Sequence, residues 1–165
     1  MDPRTVLFLE DRVESIVQPL TCCEERGLSV TVVPTDFEFL EQLEDGADNI
    51  GLIVVDISLL GVMNLKAVGI PNSDTDGGNR AGWVIIDRLL RPETSDASFA
   101  KIPILVLSVI QAHDVDAAPL KAANARADKF GWPPIKNLVK GGTDLDKKRP
   151  WHEEFEEIID ELFPR

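Results

Sequence analysis

Five short apolar runs, each closed by polar residues and separated from the next by a stretch with helical spacing, constrain this chain most. The clearest is Gly51–Val55, GLIVV, followed at once by Asp56. A continuous, β-branched run of this length is the pattern of a strand buried on both faces of a parallel sheet. The same reading predicts strands at Thr5–Leu9 (TVLFL, ending in Glu10 and Asp11), Leu28–Val33 (LSVTVV), Ile102–Leu107 (IPILVL, ending in Ser108) and Ile135–Val139 (IKNLV, ending in Lys140). Between them, Val13–Arg26 carries apolar residues at helical intervals, with Pro19 expected to kink or shorten the helix and Gly27 to close it. Thr35–Glu38 (TDFE) resembles a capping box opening a helix through Glu44. Ala81–Leu90, Asp116–Phe130 and Trp151–Phe163 supply three further helices.

Strands alternating with helices imply parallel pairing through right-handed crossovers. The expected fold is therefore α/β, a (βα)5 three-layer sandwich around a five-stranded parallel sheet. In such sheets ligands bind in the crevice beyond the carboxyl ends of the strands. Glu10, Asp11, Asp56, Ser108 and Lys140 all fall at that edge. Taken singly, each has a plainer reading: Asp56 as a turn or helix cap, Ser108 as an ordinary strand-end serine, Lys140 as a solvated loop lysine.

At 165 residues, the chain is expected to form a single domain over residues 1–165. Its 29 Asp and Glu against 17 Lys and Arg give a net charge of -12, which disfavours direct binding to nucleic-acid phosphates or anionic membranes. No basic, apolar leader opens the sequence, and no segment approaches the roughly 18 apolar residues of a membrane span, so a cytoplasmic location is expected. Cys22 and Cys23 are adjacent and lack metal-ligand spacing, which reads as reduced helix residues. His113 and His152 have no accompanying ligand pattern.

Taken in order, VLFLED (6–11), LIVVD (52–56), ILVLS (104–108) and NLVK (137–140), with the helix GWVIIDRLLR (82–91), resemble the receiver domain of two-component response regulators over nearly the whole chain. The resemblance implies a flavodoxin-like sheet with strand order 2-1-3-4-5. It implies Asp56 as phosphoacceptor and Ser108 and Lys140 as phosphoryl-binding groups. It also implies Mg²⁺ held by Asp11, Asp56 and the backbone carbonyl of Ser58, with Glu10 acting mainly through water. A cluster of hard oxygen donors suits that ion, and clustered carboxylates need a cation between them. The implied partners are a histidine kinase or phosphotransfer protein and an unidentified downstream protein.

The chain also departs from the family pattern. Gly141 follows Lys140 where the family usually has proline, Val109 follows Ser108 where a small residue is usual, and Asn137 replaces a switch aromatic. Residues 57–80 form an insertion far longer than the roughly two to six residues of a usual βα connection. Asn72–Gly77 resembles half of a calcium loop, but a polar turn accounts for it better. Leu59, Leu60, Val62, Met63, Leu65, Val68 and Ile70 make the insertion apolar enough to act as a lid or docking surface. The favoured function is a non-enzymatic, stand-alone phosphorylatable receiver. The alternatives are a receiver-shaped adaptor independent of phosphorylation, and an aspartate-nucleophile phosphatase, whose second acid would fall at Ser58.

Overall fold

The computed structural model describes residues 4–59, 69–94, 99–108, 118–140 and 150–165. Five strands, β1 (Thr5–Leu9), β2 (Ser29–Val33), β3 (Ile50–Val55), β4 (Ile104–Ser108) and β5 (Lys136–Val139), form one sheet in the order β2-β1-β3-β4-β5. Every pairing is parallel. The flavodoxin-like (βα)5 expectation holds.

The helices are α1 (Val17–Glu25), α2 (Asp36–Gly46), α3 (Ala81–Ile85), α4 (Ala118–Phe130) and α5 (Trp151–Leu162). Alternation along each strand divides the core in two. Leu7, Leu9, Ile53, Val55, Ile104 and Val106 pack with Phe39 and Leu43 of α2, Ile85 of α3 and Ala123 of α4. Val6, Phe8, Leu52, Val54, Leu105 and Leu107 face the other way, against Cys22 and Cys23 of α1 and Phe155 and Ile159 of α5. The sheet is therefore the middle of three layers. Its central strands are buried on both faces, whereas the edge strands β2 and β5 carry the partly exposed Thr31, Lys136 and Asn137. That difference explains why the central runs are continuous in sequence and the edge runs are diluted with polar residues.

Several boundaries differ from expectation for identifiable reasons. The first helix begins at Val17, after a 3-10 turn at Val13–Ser15. Pro19 consequently lies in its first turn, where a missing N–H leaves no intrahelical bond unmade. Gly27 adopts φ +69° and lets Leu28 N–H bond back to Cys23 O at 3.1 Å, so Leu28 closes the helix and β2 starts at Ser29. Thr35 Oγ1 accepts from Glu38 N–H at 3.2 Å, the cap expected for α2. The predicted helix over 81–90 keeps its extent, but Ile86–Leu90 is wound as a π-helical turn.

In the long β3–α3 connection, Ile57, Leu59 and Ile70 are buried in the core. Asn72–Thr75 forms a 3-10 turn followed by left-handed backbone at Asp76, Gly77 and Gly78. This is the polar turn expected there, and Asp74 pairs with Arg88 at 2.6 Å. The rest of the proposed lid, Leu60–Val68, lies outside the described residues, as do Val109, His113 and Gly141. No helix among the described residues is long and apolar enough to cross a membrane.

Candidate functional site

Strand order places the candidate residues. β1 and β3 are neighbours at the point where the order reverses, the usual ligand crevice of an open α/β sheet. The ladder continues one residue past each strand: Glu10 N–H bonds Val33 O at 3.2 Å, and Asp56 N–H bonds Leu9 O at 3.0 Å. Both acids are thus fixed by main-chain bonds at the carboxyl edge. Lys140 leaves β5 at the same edge.

Lys140 is 5% exposed, Glu10 2% and Asp56 7%, so the three charges are nearly removed from water. The Lys140 ammonium donates to Glu10 Oε2 at 2.7 Å, to Asp56 Oδ2 at 3.0 Å and to Ser15 Oγ at 3.0 Å. The remaining carboxylate oxygens are also held. Glu10 Oε1 accepts from Arg12 N–H at 3.0 Å, and Asp56 Oδ1 accepts from Ser58 N–H at 3.1 Å. Burial raises the pKa of Glu10 above the ordinary carboxylate range; the nearby Asp56 charge adds to the rise and Lys140 offsets part of it.

Asp11 completes the cluster. One carboxylate oxygen from each of Glu10, Asp11 and Asp56 lies within 4.8 Å of the others, the one such group among the described residues. Glu10, Asp11 and Asp56 bring three carboxylates together, and the Lys140 ammonium pairs with two of them, Glu10 and Asp56; a divalent cation would neutralise further charge there. The donor set is all oxygen and charged, which suits Mg²⁺.

Ser108 ends β4 in register with Val139, between the Asp56 and Lys140 strands; its side chain lies outside those described. Asn137 lies on β5 opposite Val106. The cysteines take no part: both are free and buried on α1, and burial pushes their thiols up to about 11 for Cys22 and about 12 for Cys23.

Two features of the site were not singled out in the sequence. Gly82 N–H bonds Ile57 O at 3.0 Å, and a Cβ at Gly82 would lie 2.2 Å from the Asp56 carbonyl oxygen. Only glycine lets α3 approach the end of β3 so closely, and a glycine in the first turn of a helix is its one sequence signal. The second is Ser15, which reaches Lys140 from the loop after β1.

The sheet order and layering match those of solved response-regulator structures, which bear out the fold. A two-component response regulator from Clostridium difficile superposes with a TM-score of 0.55 at 15% identity, covering 98% of this chain and 96% of that one. The chemotaxis response regulator CheY4 of Vibrio cholerae gives 0.54 at 13%, covering 96% and 97%. A response regulator from Thermotoga maritima gives 0.53 at 15%, covering 100% of both chains. No protein-family model and no curated protein matches the sequence. At such identities the likeness is one of fold.

Proposed function

We propose that the chain is a phosphorylatable receiver in the cytoplasm, with Asp56 accepting a phosphoryl group from a histidine kinase or phosphotransfer protein. The observation that carries this reading is the buried Asp56 carboxylate, bonded to the Lys140 ammonium and clustered with Glu10 and Asp11 at the carboxyl edge. In the transfer, one Asp56 oxygen attacks the phosphorus and a P–O bond forms while the P–N bond of phosphohistidine breaks. The electron pair remains on the imidazole nitrogen, which takes a proton from solvent. The product is an acyl phosphate.

Each neighbour has a part in that step. The Lys140 ammonium neutralises Asp56 beforehand and turns to a phosphoryl oxygen afterwards, so charge developing at phosphorus meets a donor already in place. Ser108 would donate its hydroxyl to a second phosphoryl oxygen. Mg²⁺, when bound, supplies further neutralisation of the incoming phosphoryl oxygens. Asp11, Asp56 and the Ser58 carbonyl would hold it directly, and Glu10 through water. Signalling would then run through contacts with a downstream protein. The chain itself would catalyse at most its own phosphorylation and dephosphorylation.

Asn137, in place of an aromatic on β5, supports the second reading, an adaptor that works without phosphorylation. Incubation with a small-molecule acyl phosphate and Mg²⁺, read by intact mass, separates the two. The receiver reading expects one phosphoryl adduct on wild type and none on Asp56→Asn. No adduct on wild type with several donors supports the adaptor, and equal labelling of Asp56→Asn moves the nucleophile elsewhere.

A further inference from the structure

We infer that Ser15 is a positioning residue for Lys140, holding the ammonium so that Asp56 is free to act. An ammonium has three donors, and here three acceptors meet them: Glu10 Oε2, Asp56 Oδ2 and Ser15 Oγ. Two are carboxylates and one is a neutral hydroxyl. The hydroxyl is firmly anchored by its local backbone. Ser15 ends the 3-10 turn, its own N–H bonding Arg12 O at 2.9 Å and the next N–H bonding Val13 O at 3.1 Å. Ile16, the following residue, is completely buried in the α1–α5 face of the core. The hydroxyl is therefore presented from a fixed point.

The function of that point follows from what changes during transfer. This part of the inference rests on Asp56 being the phosphoacceptor. Asp56 exchanges a carboxylate for an acyl phosphate, and Glu10 lies where a cation would redistribute charge. Ser15 alone among the three partners keeps both charge and position. Tethered to it, the ammonium can turn from Asp56 to an incoming phosphoryl oxygen without leaving the site. Without it, one donor loses its acceptor, and the ammonium settles onto the two carboxylates. Asp56 is then gripped more tightly and attacks more slowly.

Ser15 does not touch the donor, so its loss should reduce the rate of labelling at saturating phosphodonor and leave the half-saturating donor concentration unchanged. Ser15→Ala should label about tenfold more slowly, the scale of one hydrogen bond to a charged group. Ser15→Thr, which keeps the hydroxyl, should restore the rate to within about twofold, a rescue that a space-filling role alone would not produce. An unchanged plateau rate in Ser15→Ala, or an effect confined to donor half-saturation, overturns the inference. A cycle of Ser15→Ala and Lys140→Met, read by urea unfolding, tests the contact without any phosphorylation. Non-additive midpoints support the tether and additive ones overturn it, whether or not wild type takes up a phosphoryl group.

Discussion

Each end of the sheet buries a cation, and the two are buried in opposite ways. At the carboxyl edge, Lys140 is held by two carboxylates and a hydroxyl. At the other end, Arg91 follows the π-helical turn and is completely buried, yet no described carboxylate pairs with it. Its guanidinium donates to main-chain carbonyls instead: Leu90 at 3.0 Å, Phe99 at 3.5 Å, Ile102 at 2.8 Å and Pro133 at 3.3 Å, with the Trp132 ring 5.9 Å away. Burial pushes its pKa down to about 10, which leaves it charged at neutral pH. Phe99 and Ile102 precede β4 and Pro133 precedes β5, so Arg91 ties the end of the third helix to the start of two strands. Carbonyls are fixed dipoles that cannot change charge. A cation among them holds shape, whereas a cation among carboxylates can be released by a metal or by a reaction. Burial of charge alone therefore does not mark a site; the partners do.

The largest effects should come from removing each cation. Arg91→Met takes the guanidinium from four carbonyls, of which Phe99 O keeps the Ile102 N–H, and should lose about 3 kcal/mol in urea unfolding, while the folded fraction labels with phosphodonor at the wild-type rate. Lys140→Met also costs stability, because Glu10 and Asp56 stay buried without their cation, but unlike Arg91→Met its folded fraction should label about a hundredfold more slowly, the scale of one preorganised charge at a reacting group. Slow labelling in folded Arg91→Met would dissolve the distinction between the two ends.

A smaller effect concerns the clustered carboxylates at the carboxyl edge. Mg²⁺ should raise the melting temperature of wild type, adding about 1.4 kcal/mol when present at ten times its dissociation constant. Asp11→Asn should lose most of that gain. If wild-type melting is insensitive to millimolar Mg²⁺ while Asp11→Asn is the more stable protein without it, the acids repel one another and form no useful metal site.

How much of this was legible in the sequence depended on whether the signal was local. Strand ends were legible because a buried parallel strand must be apolar and the first polar residue after it marks the edge, as Asp56 after GLIVV does. The capping threonine of α2 and the closing Gly27 were legible for the same local reason. Ser15 was not, since its partner lies 125 residues away and a serine in a turn carries no trace of it. Arg91 reads as an ordinary arginine at a helix end, where most are solvated. Only the π turn and the carbonyls of two later loops show that it is inside. Glu10 is legible at the carboxyl edge as the first polar residue after TVLFL, but its direct bond to Lys140 joins residues 130 apart and has no local signal.

The proposed formation of an acyl phosphate on Asp56 is tested most directly by chemical trapping. Reduction of the phosphorylated protein with labelled borohydride converts an aspartyl phosphate to homoserine and marks it for peptide mapping. The label is expected at position 56 alone, and none after hydroxylamine treatment that first removes the acyl phosphate. Label at position 10 or 11, or an adduct that survives hydroxylamine, would contradict it.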